Sequence, residues 1–397
     1  MITAKIRGGI CMNAHPGGCA REVALQRDVI VGQNFAGAAA GPKTVLIIGG
    51  STGYGLASRL TAAFGYGAQT ISISYEKEAS GKRSATPGWY NSRAFDVLAG
   101  KAGLDAVSVN ADAFSHETRE RVAELVRGRG KKIDLLIYSL ASGVRPDPDT
   151  GELYRSSLKP IGSVYTTRSI DFMNGTISKV SFEPASREEI DATVKVMGGE
   201  DWRLWVDYLQ GQNLLGQNFK TVAFSYIGPE VTHPIYRSGT IGQAKEHLEK
   251  TALELHDRLS GSGGEAYVSI NKAVVTRASA VIPAVPLYIS LLFKVMKQKG
   301  LHEGCIEQMS RLFRERLYTG GNVPVDADHL IRMDDWEMRE DIQTEVSGRW
   351  ETVTEETLEE LADLEGFRED FLRIHGFAVP GVDYEAEVDY SDIPDIE

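Results

Sequence analysis

The chain has little cysteine, no excess of basic residues and no recognisable export signal, and each shortage excludes a class of protein. Its 397 residues include three cysteines, an odd number that favours free thiols in a reducing cytoplasm. The net charge of −12 argues against a nucleic-acid partner, because phosphate binding requires concentrated basic surface. The N-terminus lacks the long apolar core of a secretory signal. These absences favour an acidic, cytoplasmic enzyme of small molecules.

Long apolar runs are also scarce, and the longest uncharged one predicts a buried helix. Residues 278–293 carry no charge for 16 positions, whereas a membrane span requires about 20 apolar residues. Pro283 and Pro286 interrupt this segment near its start. We therefore expect no membrane span here, but a buried helix from about Val285 and a proline-rich loop beside a binding site.

The chain also lacks a Pro/Ser linker, a low-complexity block or an internal repeat, so we predict one elaborated domain over residues 1–397. Strand and helix patterns alternate, which indicates an α/β fold with a Rossmann-like, doubly wound parallel sheet and helices on both faces. We expect four parts: an N-terminal cover (1–42), a dinucleotide-binding core (43–144 and 220–300), a small inserted β/helical segment on the substrate side (145–219) and a helical C-terminal part (301–397).

Six short apolar segments have the composition of buried parallel strands. They are residues 44–48, 70–74, 106–110, 133–139, 221–227 and 266–270. Charged amphipathic patterns predict helices over 116–127 and 241–259, and a further helix rich in tryptophan begins at Glu200. We expect Trp202 and Trp205 of that helix to pack in the core.

A glycine turn follows the first predicted strand. Gly49, Gly53 and Gly55 give the spacing G-x-x-x-G-x-G, and helical periodicity resumes directly after them. The first N–H groups of a helix are unpaired and lie at the positive end of its dipole, so they attract an anion. Strand, turn and helix together predict a site for the pyrophosphate of a dinucleotide.

Glu76 indicates which dinucleotide binds. It ends the second predicted strand, 21 residues after Gly55, where a Rossmann fold places the acid that binds the adenosine ribose. A carboxylate accepts hydrogen bonds from ribose hydroxyls and repels a 2′-phosphate, which favours NADH over NADPH. Lys77, Lys82 and Arg83 follow closely and act against that preference. The alternative is that Glu76 only caps an exposed strand end.

Reduction also requires a proton donor beside the hydride. Short-chain reductases use a Tyr and a Lys one helical turn apart, whose ammonium lowers the pKa of the phenol and holds the nicotinamide ribose. No Tyr-x-x-x-Lys occurs in this chain. Two pairs with eight intervening residues do occur, Tyr236/Lys245 and Tyr288/Lys297.

Helix geometry separates the two pairs. Nine positions along a continuous helix rotate by about 900°, so Tyr288 and Lys297 lie on opposite faces, one in the core and one at the surface. Tyr236 instead precedes a helix start at 238–240, and its loop can fold back over the turn that carries Lys245. We take Tyr236 and Lys245 as the catalytic candidates; the alternative is a loop tyrosine and a surface lysine.

Tyr226 and a set of cysteines and histidines are further candidates for the site. Tyr226 ends the fifth strand, so it either faces the same crevice, where a phenol could hydrogen-bond the oxygen of an enolate, or is a satisfied core tyrosine. Cysteine and histidine residues that could ligate zinc lack a Cys-x-x-Cys pair, and glycines and a proline interrupt their helical spacing, so we predict no metal. These residues are Cys11, His15, Cys19, His302 and Cys305.

Long colinear motifs complete the sequence evidence. They are residues 49–59, 87–91, 112–115, 138–142, 196–202, 274–276, 302–308 and 381–388, with eight residues between Tyr236 and Lys245. Their sequences resemble the monomeric trans-2-enoyl-CoA/enoyl-ACP reductase family of the FabV type, nearly end to end. The resemblance implies NADH-dependent reduction of the trans-2 double bond of an acyl thioester carried by CoA or acyl carrier protein, in fatty-acid synthesis.

The resemblance also implies roles for individual residues. Tyr236 is the proton donor, Lys245 binds the nicotinamide ribose and Tyr226 contacts the substrate. The uncharged 278–293 segment is, from its own composition, a candidate wall for an acyl chain. The implied cofactor-binding residues are Gly49, Gly50, Ser51, Thr52, Gly53, Tyr54, Tyr75, Glu76, Asp112, Ala113, Leu140, Ala141, Lys245, Val274, Val275 and Thr276.

Two other functions remain open from the sequence. A short-chain-type reductase of ketones or 3-oxoacyl thioesters would share the glycine turn, although it would normally carry Tyr-x-x-x-Lys. A non-catalytic NAD-binding sensor would keep Glu76 and the glycines and have no use for Tyr236 and Lys245.

Overall fold

A computed structural model describes residues 2–35 and 40–396 of the chain, which form thirteen strands and twelve α-helices. The strands are β1 (Ile6–Arg7), β2 (Ile10–Cys11), β3 (Thr44–Ile48), β4 (Gln69–Ser74), β5 (Ala106–Asn110), β6 (Ile133–Tyr138), β7 (Val144–Pro146), β8 (Leu153–Arg155), β9 (Tyr165–Asp171), β10 (Thr176–Phe182), β11 (Leu215–Ser225), β12 (Glu265–Ile270) and β13 (Leu330–Arg332). The helices are α1 (Pro16–Val31), α2 (Gly53–Leu60), α3 (Pro87–Lys101), α4 (His116–Gly128), α5 (Arg187–Met197), α6 (Glu200–Gly211), α7 (Thr240–Ser260), α8 (Val285–Gln298), α9 (Cys305–Leu312), α10 (Glu340–Thr352), α11 (Leu358–Leu361) and α12 (Leu364–Ile374). Short π-helical segments, Thr61–Gly65 and Phe313–Leu317, extend α2 and α9, and 3₁₀ turns lie at Glu230–Thr232 and Ser279–Val281.

Seven strands form the central sheet in the order β13-β12-β11-β6-β3-β4-β5, and every neighbouring pair is parallel. This is the doubly wound order 3-2-1-4-5-6 with one more strand at an edge. The Rossmann-like fold predicted from sequence is confirmed. The seventh strand, β13, lies in the C-terminal part, which the sequence predicted to be helical. It was not predicted because three residues are too few to produce a strand pattern.

Helices cover both faces of the sheet, as the buried strands require. One apolar core places α2, α3 and α9 on β3 and β6, and another places α4, α6 and α7 on the opposite face. Trp202 and Trp205 of α6 have no exposed surface in the second core, which confirms their predicted packing. All five residues of β3 and all six of β4 are buried, as expected of central parallel strands.

A third core encloses α8. This helix begins at Val285, as predicted, and packs against α10 and α12. Tyr288 has no exposed surface, whereas the side chain of Lys297 is 45% exposed, so the two lie in the core and at the surface as expected. None of the helices in the described ranges is long and apolar enough to cross a membrane.

Candidate active site

The candidate site lies at the carboxyl edge of the sheet, where the chain leaves β3 and β6 toward opposite faces. The glycine turn begins there. Gly49 has a φ of +86°, and a Cβ at this position would overlap the carbonyl of Ser139, just after β6. A Cβ on Gly55 would overlap the carbonyl of Gly49. Only glycine therefore lets the turn and α2 approach this closely, as a pyrophosphate site requires.

The N-terminus of α2 points its free N–H groups into this crevice. Thr52 is the residue before the helix, and its side chain makes no capping hydrogen bond, so the unpaired donors of Gly53 and its neighbours remain available to a ligand. Tyr54 is different: its hydroxyl donates to the carbonyl of Lys272 at 2.7 Å. Its ring therefore lies in the interior, and only its backbone can contribute to binding an anion.

Glu76 lies directly beside the turn. Its side chain is 9% exposed, and its Oε1 accepts a hydrogen bond from Ser51 Oγ at 2.7 Å. Its backbone N–H donates to Asn110 Oδ1 at 2.8 Å. Arg277 reaches the other oxygen, with Nη1 3.9 Å from Oε2. The carboxylate is thus fixed at the end of β4, next to the helix N-terminus, rather than free at an exposed strand end.

Residues 87–91, at the start of α3, support the turn from behind. The side-chain amide of Asn91 donates to the carbonyl of Ser51 at 3.0 Å. A Cβ on Gly88 would overlap the carboxylate of Glu76. Asn91 and Gly88 therefore belong to the site, although the sequence marked them only as part of a motif. Their role depends on contacts with residues 12 to 40 positions away, which local patterns do not reveal.

The residues predicted to bind adenosine lie at the ends of β4 and β5. Tyr75 is 80% exposed, so its ring is available for stacking. Asp112 Oδ1 accepts the N–H of Phe114 at 2.9 Å, which shapes the loop. Ala113 is buried, and its carbonyl accepts Trp205 Nε1–H at 3.0 Å. The loop is therefore held from inside by the insertion helix α6.

The opposite side of the crevice is formed by the loops that follow β6 and β12. Leu140 is half-buried against the second core and Ala141 is exposed. Val274 and Val275 are buried, while Thr276 is partly accessible. The Thr276 methyl lies 3.8 Å from the position a Cβ on Gly53 would take. The loop after β12 therefore lies across the N-terminus of α2.

The loop that carries Tyr236 folds back onto the start of α7, the helix that carries Lys245. The helix α7 begins at Thr240, and the N–H of Gly242 donates back to the carbonyl of Tyr236 at 2.9 Å. A Cβ on Gly242 would overlap that carbonyl, so glycine allows the loop to fold onto the first turn. Arg237 holds the same loop to α7 through two hydrogen bonds with Glu249, at 2.6 and 3.1 Å.

Burial sets the proton affinities of this pair. It raises the pKa of Tyr236 to about 12 and lowers the pKa of Lys245 to about 8. The sequence-based expectation that the ammonium lowers the phenol pKa is not met, because desolvation of the phenolate dominates. Lys245 Nζ donates to the carbonyl of Phe224 at 3.2 Å, which anchors it at the end of β11.

Tyr226 stands next to Tyr236, as expected from its place after β11. The two rings meet edge to face, with centroids 5.2 Å apart and planes at 78°. The Tyr226 hydroxyl donates to Glu337 Oε1 at 3.1 Å. Tyr226 therefore packs on Tyr236 and is hydrogen-bonded to a buried carboxylate, while its contact with the substrate stays a prediction. Glu337 was not identified from the sequence.

The histidines and cysteines that could ligate zinc are not gathered into one site among the described residues. His15 caps α1, and its Nδ1 accepts the N–H of Gly18 at 3.0 Å. Cys11, Cys19 and Cys305 are free thiols. Within residues 2–35 and 40–396, no group of three His, Cys, Asp or Glu side chains is arranged to hold a metal ion.

Three family models match consecutive segments of the chain. They are described as the NAD(P)H binding domain of trans-2-enoyl-CoA reductase (residues 1–81), the trans-2-enoyl-CoA reductase catalytic region (83–318) and an enoyl reductase FAD binding domain (325–388). The first two contain the glycine turn, Glu76, Tyr226, Tyr236 and Lys245.

The residues of the third segment do not fit a flavin. Its apolar side chains, among them Ile342 and Phe367, are fully buried against α8. No glycine occurs between β13 and α10, where a dinucleotide turn would be needed. A cavity of about 570 Å³ at its C-terminal end is lined by carboxylates, including Asp383 and Glu387, which would repel a pyrophosphate. We assign no flavin to this chain.

Relatives match over nearly the whole length. An enoyl-[acyl-carrier-protein] reductase [NADH] of Flavobacterium johnsoniae is 54% identical, covering 98% of this chain and 97% of its own. A trans-2-enoyl-CoA reductase [NADH] of Brachyspira hyodysenteriae is 53% identical, covering 98% and 99%. The crystal structure of Treponema denticola trans-2-enoyl-CoA reductase in complex with NAD matches with a TM-score of 0.96 at 51% identity, covering 100% of both chains. The chain therefore belongs to the trans-2-enoyl-CoA reductase family.

Proposed function

We propose that this protein reduces the trans-2 double bond of enoyl thioesters to the saturated acyl thioester, with NADH as the hydride donor. The observation that carries the proposal is the position of Tyr236. It lies beside Tyr226, in a loop that packs against the first turn of α7, the helix that carries Lys245. All three lie at the edge of the sheet that bears the glycine turn. The names of the full-length relatives support the same reaction.

The side chains divide the work between binding and proton transfer. The turn at 49–54 and Glu76 would hold the pyrophosphate and ribose of NADH, which supplies the hydride that adds to the β-carbon. The α-carbon then needs a proton, and Tyr236 supplies it. Because burial raises the pKa of Tyr236 to about 12, the phenol keeps its proton until negative charge develops on the thioester. Lys245, as an ammonium, holds the nicotinamide ribose and offsets the phenolate charge.

Substitution of Tyr236 tests the assignment. We expect Tyr236→Phe to lower kcat for crotonyl-CoA by at least about 100-fold, since positioned acid catalysis contributes that much, while NADH binding measured by fluorescence stays within twofold. Wild-type activity in the variant would contradict the role of Tyr236. Acetoacetyl-CoA, assayed in parallel, distinguishes a 3-oxoacyl or ketone reductase, and a lack of turnover with any thioester would leave the NAD-binding sensor.

The carrier and the setting complete the proposal. We propose that thioesters of both CoA and acyl carrier protein are substrates, and that the third core, around α8, forms the wall of the acyl-chain site. We also propose that the protein acts as a monomer in the cytoplasm during fatty-acid synthesis. Its free thiols suit a reducing compartment. NADH consumption with crotonyl-CoA, dodecenoyl-CoA and crotonyl-acyl carrier protein measures the preference, and light scattering measures the mass.

A further inference from the structure

A buried carboxylate outside the catalytic pair connects three parts of the site. Glu337 lies between β13 and α10 and has no exposed surface. Its Oε1 accepts hydrogen bonds from Tyr226 at 3.1 Å and from Tyr288 at 2.6 Å. Its Oε2 accepts the backbone N–H of Ala273 at 2.7 Å. Both oxygens are therefore used, and each partner belongs to a different wall of the crevice.

The three partners have distinct places in the proposed reaction. Tyr226 packs edge to face on the proton donor, Tyr236. Tyr288 belongs to α8, the proposed acyl wall. Ala273 begins the loop of residues 273–276, which lies across the N-terminus of α2. One carboxylate thus fixes the positions of the phenol neighbour, the acyl wall and the cofactor loop relative to one another.

The hydrogen bonds identify Glu337 as an acceptor at both of its oxygens. Burial raises its pKa, and the buried ammonium of Lys272, with the Tyr288 and Ala273 hydrogen bonds, acts in the opposite direction; Asp334 adds to the rise. Three donors converge on it from Tyr226, Tyr288 and Ala273, and an ionised carboxyl can only accept. A buried charge is costly unless it is paired and hydrogen-bonded in this way.

This arrangement determines which proton each phenol can offer. Because the Tyr226 hydroxyl donates its hydrogen bond to Glu337 Oε1, it has no second proton to donate into the crevice. The hydroxyl of Tyr236 forms no hydrogen bond with any side chain or backbone group in the part of the chain that the structure describes. The two neighbouring phenols are thereby differentiated, one as a fixed support and one as a donor.

We propose that Glu337 is a positioning residue that acts through Tyr226 and the 273–276 loop to orient Tyr236 and the bound cofactor. The proposal rests on the proposed function, since it concerns the same crevice. It assigns a role in the reaction to the C-terminal part of the chain, beyond packing. Displacement of reacting groups by about 1 Å costs about 100-fold in rate, so loss of these contacts is measurable.

A double-mutant cycle tests this role. Glu337→Gln keeps the side-chain shape, but an amide cannot accept the phenol protons and the Ala273 N–H with both of its atoms. We expect kcat for crotonyl-CoA to fall 10- to 100-fold in the wild-type background and by a smaller factor in a Tyr226→Phe background, because the Tyr226 contact is already lost there and only the Tyr288 and Ala273 contacts remain to be broken. Glu337→Asp keeps the charge but is shorter, and we expect a 3- to 10-fold loss, measurable even if Glu337→Gln does not fold.

A second readout needs no turnover. Hydrogen exchange of peptides covering residues 271–276 in the ligand-free protein should accelerate in Glu337→Gln. Glu303→Gln is the matched control, because Glu303 is also a buried carboxylate but pairs with Arg311, at 2.8 Å, and touches neither phenol. It should leave kcat and this exchange unchanged.

Each contrary result has its own meaning. Equal losses from Glu337→Gln in both Tyr226 backgrounds, or unchanged exchange at 271–276, would overturn the positioning role. A wild-type protein that does not reduce crotonyl-CoA would contradict the proposed function itself, and with it this role. Failure of the positioning role is therefore seen only in the variants, and failure of the proposed function is seen already in the wild-type protein.

Discussion

Burial changes the proton affinities of the two catalytic candidates in opposite directions. The phenol of Tyr236 becomes a weaker acid, with a pKa of about 12, and the ammonium of Lys245 a stronger one, with a pKa of about 8. Both shifts favour the neutral form of the group. The consequence is a tyrosine that stays protonated across the physiological range and a lysine that titrates just above it.

Lys245 should therefore limit activity on the alkaline side. As the pH rises through about 8, the ammonium loses its proton and with it the charge that holds the ribose and offsets the phenolate. We expect kcat/KM for NADH, which reports the free enzyme, to fall about tenfold for each pH unit above this value. Lys245→Arg keeps its charge at every accessible pH, so its lower activity should show no decline near pH 8. The same decline in both proteins would exclude Lys245 as its origin.

Helix α7 positions the site through its first turn. The loop that carries Tyr236 folds onto this turn, and the insertion supports it from the other side: Thr240 N–H donates to the carbonyl of Lys159 at 3.0 Å. The start of α7 was predictable because Gly239 and Thr240 mark it locally. The supporting contact from residue 159 was not, since it spans 81 positions.

Gly242 is the residue on which this fold-back depends. Gly242→Ala would place a methyl group on the carbonyls of Tyr236 and Arg237, so the loop must move. We expect a loss of about 100-fold in kcat with NADH affinity nearly unchanged, since the glycine turn at 49–55 is separate. Gly261→Ala is the control at the other end of α7, where a Cβ meets nothing within 4 Å. Equal activities of the two variants would show that the loop tolerates the shift.

At the scale of the whole molecule, the sequence predicted the strands and helices that local residue patterns specify. It did not reveal the site residues that depend on contacts between distant parts of the chain. Six strands of the sheet were predictable because each contains a short apolar run that ends near a turn. Glu337 was not, because its contact with Tyr226 spans 111 positions. The three-residue β13 was not, because it is too short to carry a pattern. The C-terminal part, expected to be helical, also completes the sheet and reaches the site.

The burial of His302 against α8 makes the stability of the molecule depend on pH. Its ring packs edge to face on Phe293 of α8, with centroids 4.4 Å apart, and its Nδ1 is buried without a hydrogen-bond partner among the described residues. Burial, aided by the charges of Lys272 and Lys297, lowers its pKa to about 3. The unfolded chain, with an ordinary histidine pKa near 6.5, binds a proton that the folded protein does not.

Lowering the pH from 7 to 5 should therefore destabilise the fold at this position. With 1.36 kcal/mol per pKa unit, the loss from this residue is about 2 kcal/mol at pH 5. His302→Gln cannot titrate, so the free energy of unfolding in urea should fall less on acidification in the variant than in the wild type, by that amount. All other groups titrate in both proteins and cancel in the difference. Parallel losses would mean that His302 takes up its proton in the folded state, and that the third core admits a charge.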